Sequence, residues 1–465
     1  MNRYLFKLLL ALSFPAAFIS CAQSFIERDP TPFVSAESYS EVRQSKNAFM
    51  PQVPWWEQFN DQKLNQLMQT ALTDNLDLAM ASARIDQAKA VAEQAWARQL
   101  PFVDLGVISN QTWDKNNDGK VKLDSRHRYG ANIDWEVDIF GRLSTNLLAR
   151  RYEFESLIHQ YEFTKLVLST AIAEAYFGAV EQRQQLELLR KQVDTDQEQL
   201  TLTKRRLAGG VAAQVDVLQQ EGQIAETKSL IPLAESALRV FENELSVLLG
   251  KVPSAENRVS ESDIFPLNIS LPIIGVPSDL LLNRPELRAK KALLVAADAE
   301  RASAFSERLP VITISGMIGG VAGSGPTGFA ADIVSSILQP VLDWGFRSSV
   351  VDEQDAVYRE RLLDFTSTYI QAISEVENGF YQFHKQREFL EKLKERGSIL
   401  EQTVQETQKR YNGGLTDYLP VLAALQQLRV VEREIVRQQK ILTLDAVQLY
   451  IALGGLPVES SDESK

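Results

Sequence analysis

Apolar residues recur at intervals of three and four over two very long stretches of this chain. From Leu143 to Ala208 the pattern runs without proline and with only Gly178, through Leu166, Ala173, Tyr176, Phe177, Val180, Leu186, Leu189 and Val193. From Phe346 to Asn412 it runs again without proline, with Gly379 and Gly397. Such spacing collects apolar side chains on a helix face, so both stretches are predicted as helices. At about 1.5 Å per residue each reaches roughly 100 Å. Strict heptads do not persist and the apolar positions drift over more than one face. That suits a helix with neighbours on two sides, the wall of a helical barrel, better than a two-stranded coiled coil.

Between these helices and the stretches before them the period changes to two. Residues 128–139 place Tyr129, Ala131, Ile133, Trp135, Val137 and Ile139 on one face and Arg128, Gly130, Asn132, Asp134, Glu136 and Asp138 on the other. Strands are predicted over 102–112, 128–139, 311–319 and 329–343, the first alternating weakly and the last more weakly still. An amphipathic hairpin on a soluble core and a membrane barrel strand both show this alternation. Four strands cannot close a barrel, so crossing lipid would require oligomerisation; three copies would supply twelve, an even number in the usual range.

The chain also repeats itself. At a constant spacing of 204 residues, Arg183, Leu186, Glu187 and Leu189 match Arg387, Leu390, Glu391 and Leu393, and Arg206, Gly209, Gly210 and Val211 match Arg410, Gly413, Gly414 and Leu415. The same spacing carries Val217-Leu218 onto Val421-Leu422, Leu249-Gly250 onto Leu453-Gly454 and Pro253 onto Pro457, while Ala95–Pro101 matches Ala304–Pro310 at 209. Repeats of this kind imply one supersecondary plan used twice. The predicted order in each half is helix, two strands, long helix, Gly-Gly turn and return helix, over 62–251 and 278–454. A connector covers 252–277 and a polar tail 455–465.

Composition narrows the function. The chain has 465 residues and a formal net charge of −12, which disfavours nucleic acid as a partner. One cysteine and three histidines (His127, His159 and His384) allow no disulfide framework and no thiolate metal cluster within one chain. No nucleophile elbow or phosphate loop is present, so neither an enzyme nor a cofactor is expected. Asp114 to Gly119 matches the start of a calcium loop, but Ser125 stands where the bidentate Glu belongs, and an exposed turn is the simpler reading. Arg3 and Lys7 precede an apolar run, Leu8–Phe18, of signal-peptide length, so 1–20 is expected to be removed on secretion. Beyond it no apolar run of 18 residues is expected to form a membrane-spanning helix. Cys21 follows Phe18-Ile19-Ser20, which is similar to a bacterial lipobox. That similarity implies lipid attachment at Cys21, and the Ala22 after it implies sorting to the outer membrane.

Several motifs taken together resemble one family, over nearly the whole mature chain. They are Trp55-Trp56 with Phe59 and Leu64, the run Leu72–Ala83, Trp135–Arg142, Asn283–Arg288, the Leu-Pro pairs at 100–101 and 309–310, and Arg410–Leu415. The chain resembles the TolC-like outer-membrane factors, in the lipoprotein branch that includes OprM and the NodT-type efflux proteins. The resemblance implies a mostly α fold with a small β part. It implies a homotrimer in which a twelve-stranded outer-membrane barrel continues into a long periplasmic helical barrel, with residues 21–61 in an equatorial region. It further implies a gated exit duct working with a periplasmic adaptor and an inner-membrane pump of the resistance-nodulation-division type. Adaptor docking would fall to Arg206, Gly210, Val211, Arg410, Gly414 and Leu415, and the gate to Tyr411, Asp417 and Leu419. Ala423 and Gln426 depart from OprM-like patterns, where a charged pair can stand, which shifts weight toward apolar closure by Leu419. Asp134, Glu136 and Asp138 are expected to form an acidic zone facing the lumen. A type I protein-secretion duct and a non-conducting envelope-spanning coiled coil remain as alternatives.

Overall fold

The computed structural model describes residues 53–115, 119, 121–254, 275–325 and 327–455, together with parts of 30–40 and of the 255–274 connector. The signal peptide, Cys21, residues 116–118 of the calcium-like turn and the tail beyond 455 lie outside the described residues. A 3-10 turn at Trp55–Phe59 leads into α1 (Gln62–Asp74) and α2 (Leu76–Ala97), then β1 (Phe102–Lys115) and β2 (Val121–Val137), then α3 (Arg142–Ala208) and α4 (Gln214–Leu248). The order then recurs: α5 (Leu280–Asn283), α6 (Pro285–Ser306), β3 (Val311–Gly323), β4 (Gly328–Leu338), α7 (Phe346–Asn412) and α8 (Leu419–Ala452). Helices α3 and α7 each run 67 residues. The chain divides into two units, the first holding residues 82–159 and 288–367 and the second 34–81, 160–287 and 368–465.

In the first unit the four strands form one antiparallel sheet in the order β1-β2-β3-β4. β2 begins at Val121 rather than at 128 and stops at Val137, because Asp138 leaves the ladder and accepts the backbone N–H groups of Leu143 (2.9 Å) and Ser144 (2.7 Å) at the start of α3. A carboxylate satisfies the orphan donors of a helix N-terminus and complements its dipole. Asp343 does the same for α7, accepting from Gly345 (3.1 Å) and Arg347 (3.3 Å), and β4 ends at Leu338, well short of 343. Backbone N–H groups donated to it hold the Asp343 carboxyl below its usual range. Helix α6 is tied to the start of α3: Ser306 and Ser303 donate to the carbonyls of Phe140 and Arg142, each at 3.0 Å, and Arg150 pairs with Glu300 at 2.8 Å.

The second unit has a continuous apolar core. Trp55, Trp56 and Phe59 pack with Leu64 and Met68 of α1, Ile172, Tyr176 and Phe177 of α3, Leu245 of α4 and Tyr450 of α8. The polar atoms carried inward are used: Trp55 Nε1 donates to Ser169 Oγ at 3.0 Å and Tyr176 Oη to Asp61 Oδ2 at 2.8 Å, while Asp61 caps α1 through Leu64 N. This core accounts for the apolarity of α3 without a membrane span. α3 does contain an 18-residue window of mean hydropathy 1.2, and 61% of it is buried in the protein. Leu166, Ile172, Ala173, Tyr176, Phe177 and Val180 make α3 apolar because they line this core.

Two glycines close the halves in the same way. A Cβ on Gly250 (φ +68°) would lie 2.3 Å from the Asp74 carbonyl oxygen, and one on Gly454 (φ +105°) 2.6 Å from that of Asn283. Only glycine fits such an approach at positive φ.

Candidate functional site

Two regions hold the residues singled out by sequence. The first is the sheet. Directly opposed residues share a face, so the register sorts the strands cleanly. Val103, Leu105 and Val107 oppose Ile133, Ala131 and Tyr129; these oppose Gly316, Ile318 and Gly320, which oppose Ile333, Ala331 and Phe329. That face is apolar from edge to edge, and Leu105, Val107, Phe329 and Ile333 are exposed. The opposite face carries Asp104, Asn132, Asp134, Arg128, Thr313, Ser315, Asp332 and Ser336. A sheet whose charged residues lie on one side and whose other side is apolar over these rows, and uncovered among the described residues, fits lipid or a further copy and not a soluble core.

The three acidic residues expected on the wet face have defined partners. Asp134 accepts from Ser315 at 2.7 Å. Glu136 forms a two-pronged ion pair with Arg142 at 3.0 and 2.6 Å, and Asp138 caps α3. Glu136 is thus neutralised locally and Asp138 is used structurally.

The second region is the pair of turns that join α3 to α4 and α7 to α8, in the second unit. Val211 N donates to Arg206 O at 2.9 Å and Gly210 N to Leu207 O at 2.9 Å; Leu415 N donates to Arg410 O at 2.9 Å and Gly414 N to Tyr411 O at 3.0 Å. Both turns thus end their helices with the same long backbone bond over a left-handed glycine, Gly210 at φ +72° and Gly414 at φ +70°. Val211, Leu415 and Leu419 stand 65%, 74% and 61% exposed at these turns, a small apolar surface that nothing among the described residues covers. Arg206 crosses from the first hairpin to the second. Its guanidinium lies 4.5 Å from the Tyr411 ring centroid and donates to the carbonyls of Tyr411 (3.1 Å) and Asn412 (3.2 Å). Tyr411 is buried against Tyr418, ring centroids 5.2 Å apart, and burial raises the pKa of both phenols. Arg410 and Asp417 are exposed.

The structure adds residues the sequence did not single out. Within each hairpin the seam is apolar: Leu186, Leu189 and Ala234 between α3 and α4, Leu393, Leu400 and Val431 between α7 and α8. Between hairpins the seam is polar from Gln192 toward the turns, beyond the apolar core that α3 shares with α8. Tyr418 donates to Gln220, Gln426 to Gln223 Oε1 at 2.9 Å, and Gln192 to Glu432 at 2.8 Å. Arg429 and Asp196, 4% and 1% exposed, form an ion pair in the middle of this seam. Burial raises the Asp196 carboxyl even against the pull of Arg429.

Very long paired helices with a small two-faced antiparallel sheet define a class, the outer-membrane channels built from helical hairpins. The chain belongs to the outer membrane efflux protein family, whose model matches residues 67–251 and 276–455. It is 28% identical over 429 residues to the pyoverdine export outer membrane protein OpmQ of Pseudomonas putida, covering 88% of this chain and 90% of that protein. It is 26% identical over 424 residues to nodulation protein T of Rhizobium leguminosarum bv. trifolii, covering 90% of each. Among solved structures it is similar to the outer-membrane channel OprN, with a TM-score of 0.87 at 25% identity over 94% of this chain and 99% of that one. The open-state MtrE outer membrane channel of Neisseria gonorrhoeae shares the fold, with a TM-score of 0.81 at 21% identity.

Proposed function

We propose that this protein is the passive exit duct of a tripartite efflux system, carrying small molecules such as drugs from an inner-membrane pump through a periplasmic adaptor and out of the cell. The observation that carries the reading is the sheet: one face is apolar across all four strands from Val103, Leu105 and Val107 to Ile333, Ala331 and Phe329, the other gathers the charged residues Asp104, Arg128, Asp134 and Asp332, and β1 and β4 are outer strands that pair with nothing further among the described residues. Unpaired edges cannot stand in lipid, so closure requires neighbours. Three copies give a twelve-stranded barrel, and the 67-residue helices continue it into the periplasm as a helical barrel. The repeated element order and the twofold family match support a duplicated chain.

At the helical turns, Tyr411, Asp417 and Leu419 form the gate, with Leu419 as the apolar closure and three Asp417 carboxylates near the axis. Arg206, Gly210, Val211, Arg410, Gly414 and Leu415 receive the adaptor. Exposure of Val211 and Leu415 beside the left-handed glycines favours that assignment, since an apolar tip on a soluble hairpin calls for a partner. Cys21 carries the lipid anchor, and a pump of the resistance-nodulation-division type supplies the cargo. Relatives named for pyoverdine export and for nodulation favour a duct whose cargo is selected upstream of it.

The test is accumulation of a fluorescent dye in cells lacking the gene, with the intact gene and a Cys21→Ser version restored separately. Higher accumulation in the deletion, reversed by the intact gene, is the expected result. Unchanged accumulation together with loss of secreted proteins would replace small-molecule efflux by protein secretion.

A further inference from the structure

On the polar face of the sheet, Arg128 of β2 reaches past β3 to form an ion pair with Asp332 of β4. The register explains the reach: Arg128 stands opposite Val321 and Asp332 opposite Met317, so the pair runs diagonally over the position between them, Gly319. No side chain fits at that position. A Cβ on Gly319 would lie 2.1 Å from the Tyr129 carbonyl oxygen, and one on its partner Gly130 would lie 2.2 Å from that of Ile318. Strands that leave no room for a Cβ on one face are curled toward that face. The pair therefore lies in the hollow of the sheet, on its wet side. Its side chains are 32% and 45% exposed, part of a wall and not of a core.

We propose that the Arg128–Asp332 pair keeps the exit neutral in charge, so that breaking it makes the exit ion-selective. The inference rests on the duct reading, in which the hollow polar face is the inner wall of a trimeric barrel. Three copies then place three such pairs around the bore. Paired, the charges cancel, and the wall at this level holds neither anions nor cations, as suits a duct whose cargo is chosen elsewhere. Unpaired, either partner becomes a ring of three like charges, and such a ring selects ions of the opposite sign. The glycine floor belongs to the device, because a side chain at 319 would stand between the partners.

The test is the reversal potential of the purified full-length trimer in a planar bilayer under a potassium chloride gradient. Arg128→Gln should raise the cation-over-anion permeability ratio by about two-fold or more, and Asp332→Asn should lower it by a similar factor. Exchange of the two charges, Arg128→Asp with Asp332→Arg, should restore the wild-type ratio. Should the single variants fail to assemble, Asp332→Cys in a Cys21→Ser background, modified after assembly with a positively or a negatively charged thiol reagent, should move the ratio in opposite directions. Conducting trimers whose ratio is the same in all variants overturn this proposal alone. Trimers that conduct nothing even when the gate is opened by Leu419→Ala overturn the duct reading, and this proposal with it.

Discussion

Gly210 and Gly414 hold φ near +70°, and a Cβ at either would meet nothing within 4 Å. Alanine there is therefore penalised by backbone conformation alone, about 1 kcal/mol per site. Gly414→Ala should lower the thermal midpoint only slightly. If the turn is the docking surface, it should weaken adaptor binding in a pull-down far more than stability. Equal loss of both would leave Gly414 as a helix stop only. Asp445 in α8 makes a second residue-scale test. Burial alone raises its carboxyl from 3.8 to about 6. The folded chain then keeps a proton that the unfolded chain releases, so this group costs stability as pH climbs through that interval, and the cost persists above it. Asp445→Asn should stabilise by about 1 kcal/mol at pH 7, discounted for partial exposure. It should change little near pH 4. Thermal unfolding at the two pH values checks this; an equal shift at both would refute the burial argument.

At the scale of elements, the long helices and the strand faces were legible because each follows one period over many residues, as from Leu166 to Val193 or from Tyr129 to Val137. What escaped is the polar seam. Asp196 sits between Asp194 and Glu198, which are exposed, and nothing in a charged run marks the one carboxylate that faces another helix. Tyr418, next to the gate candidate Asp417, was missed because turn residues carry no period. Strand ends shifted where Asp138 left the ladder to cap α3 and where β4 stopped at Leu338, two residues before Pro340, which has no N–H for a ladder; alternation registers neither. The seam makes its own prediction. Removing Arg429 leaves Asp196 buried and unpaired, so Arg429→Ala should destabilise by roughly 3–5 kcal/mol, whereas a double apolar replacement, Asp196→Leu with Arg429→Met, should come close to neutral. Chemical unfolding of the detergent-solubilised protein measures both. A double variant as weak as the single one would mean that the pair contributes more than mutual neutralisation.

For the whole molecule, the decisive question is what β1 and β4 pair with. Each pairs on one side, β1 with β2 from Phe102 to Lys115 and β4 with β3 from Gly328 to Leu338. In water an open edge invites aggregation, and in lipid each unpaired backbone group costs several kcal/mol, so closure by β1 of one copy on β4 of the next is the economical solution. Both faces agree with it: the apolar face would lie continuously outward, and the polar face, curled at Gly130 and Gly319, would lie inward. Disulfide trapping tests this directly. In a Cys21→Ser background, one cysteine placed along β1 and one along β4 should be scanned in register. Pairs brought to Cα separations of about 4.4–6.8 Å should oxidise to dimers and to closed trimers on a non-reducing gel. Successful pairs should move together, one residue forward on β1 for one residue back on β4, as antiparallel strands require. Trapping at scattered positions would signify collision and not pairing. Absence of trapping at every register, in protein that still inserts into membranes, would sink the barrel. The two-faced sheet would then need another cover for its apolar side.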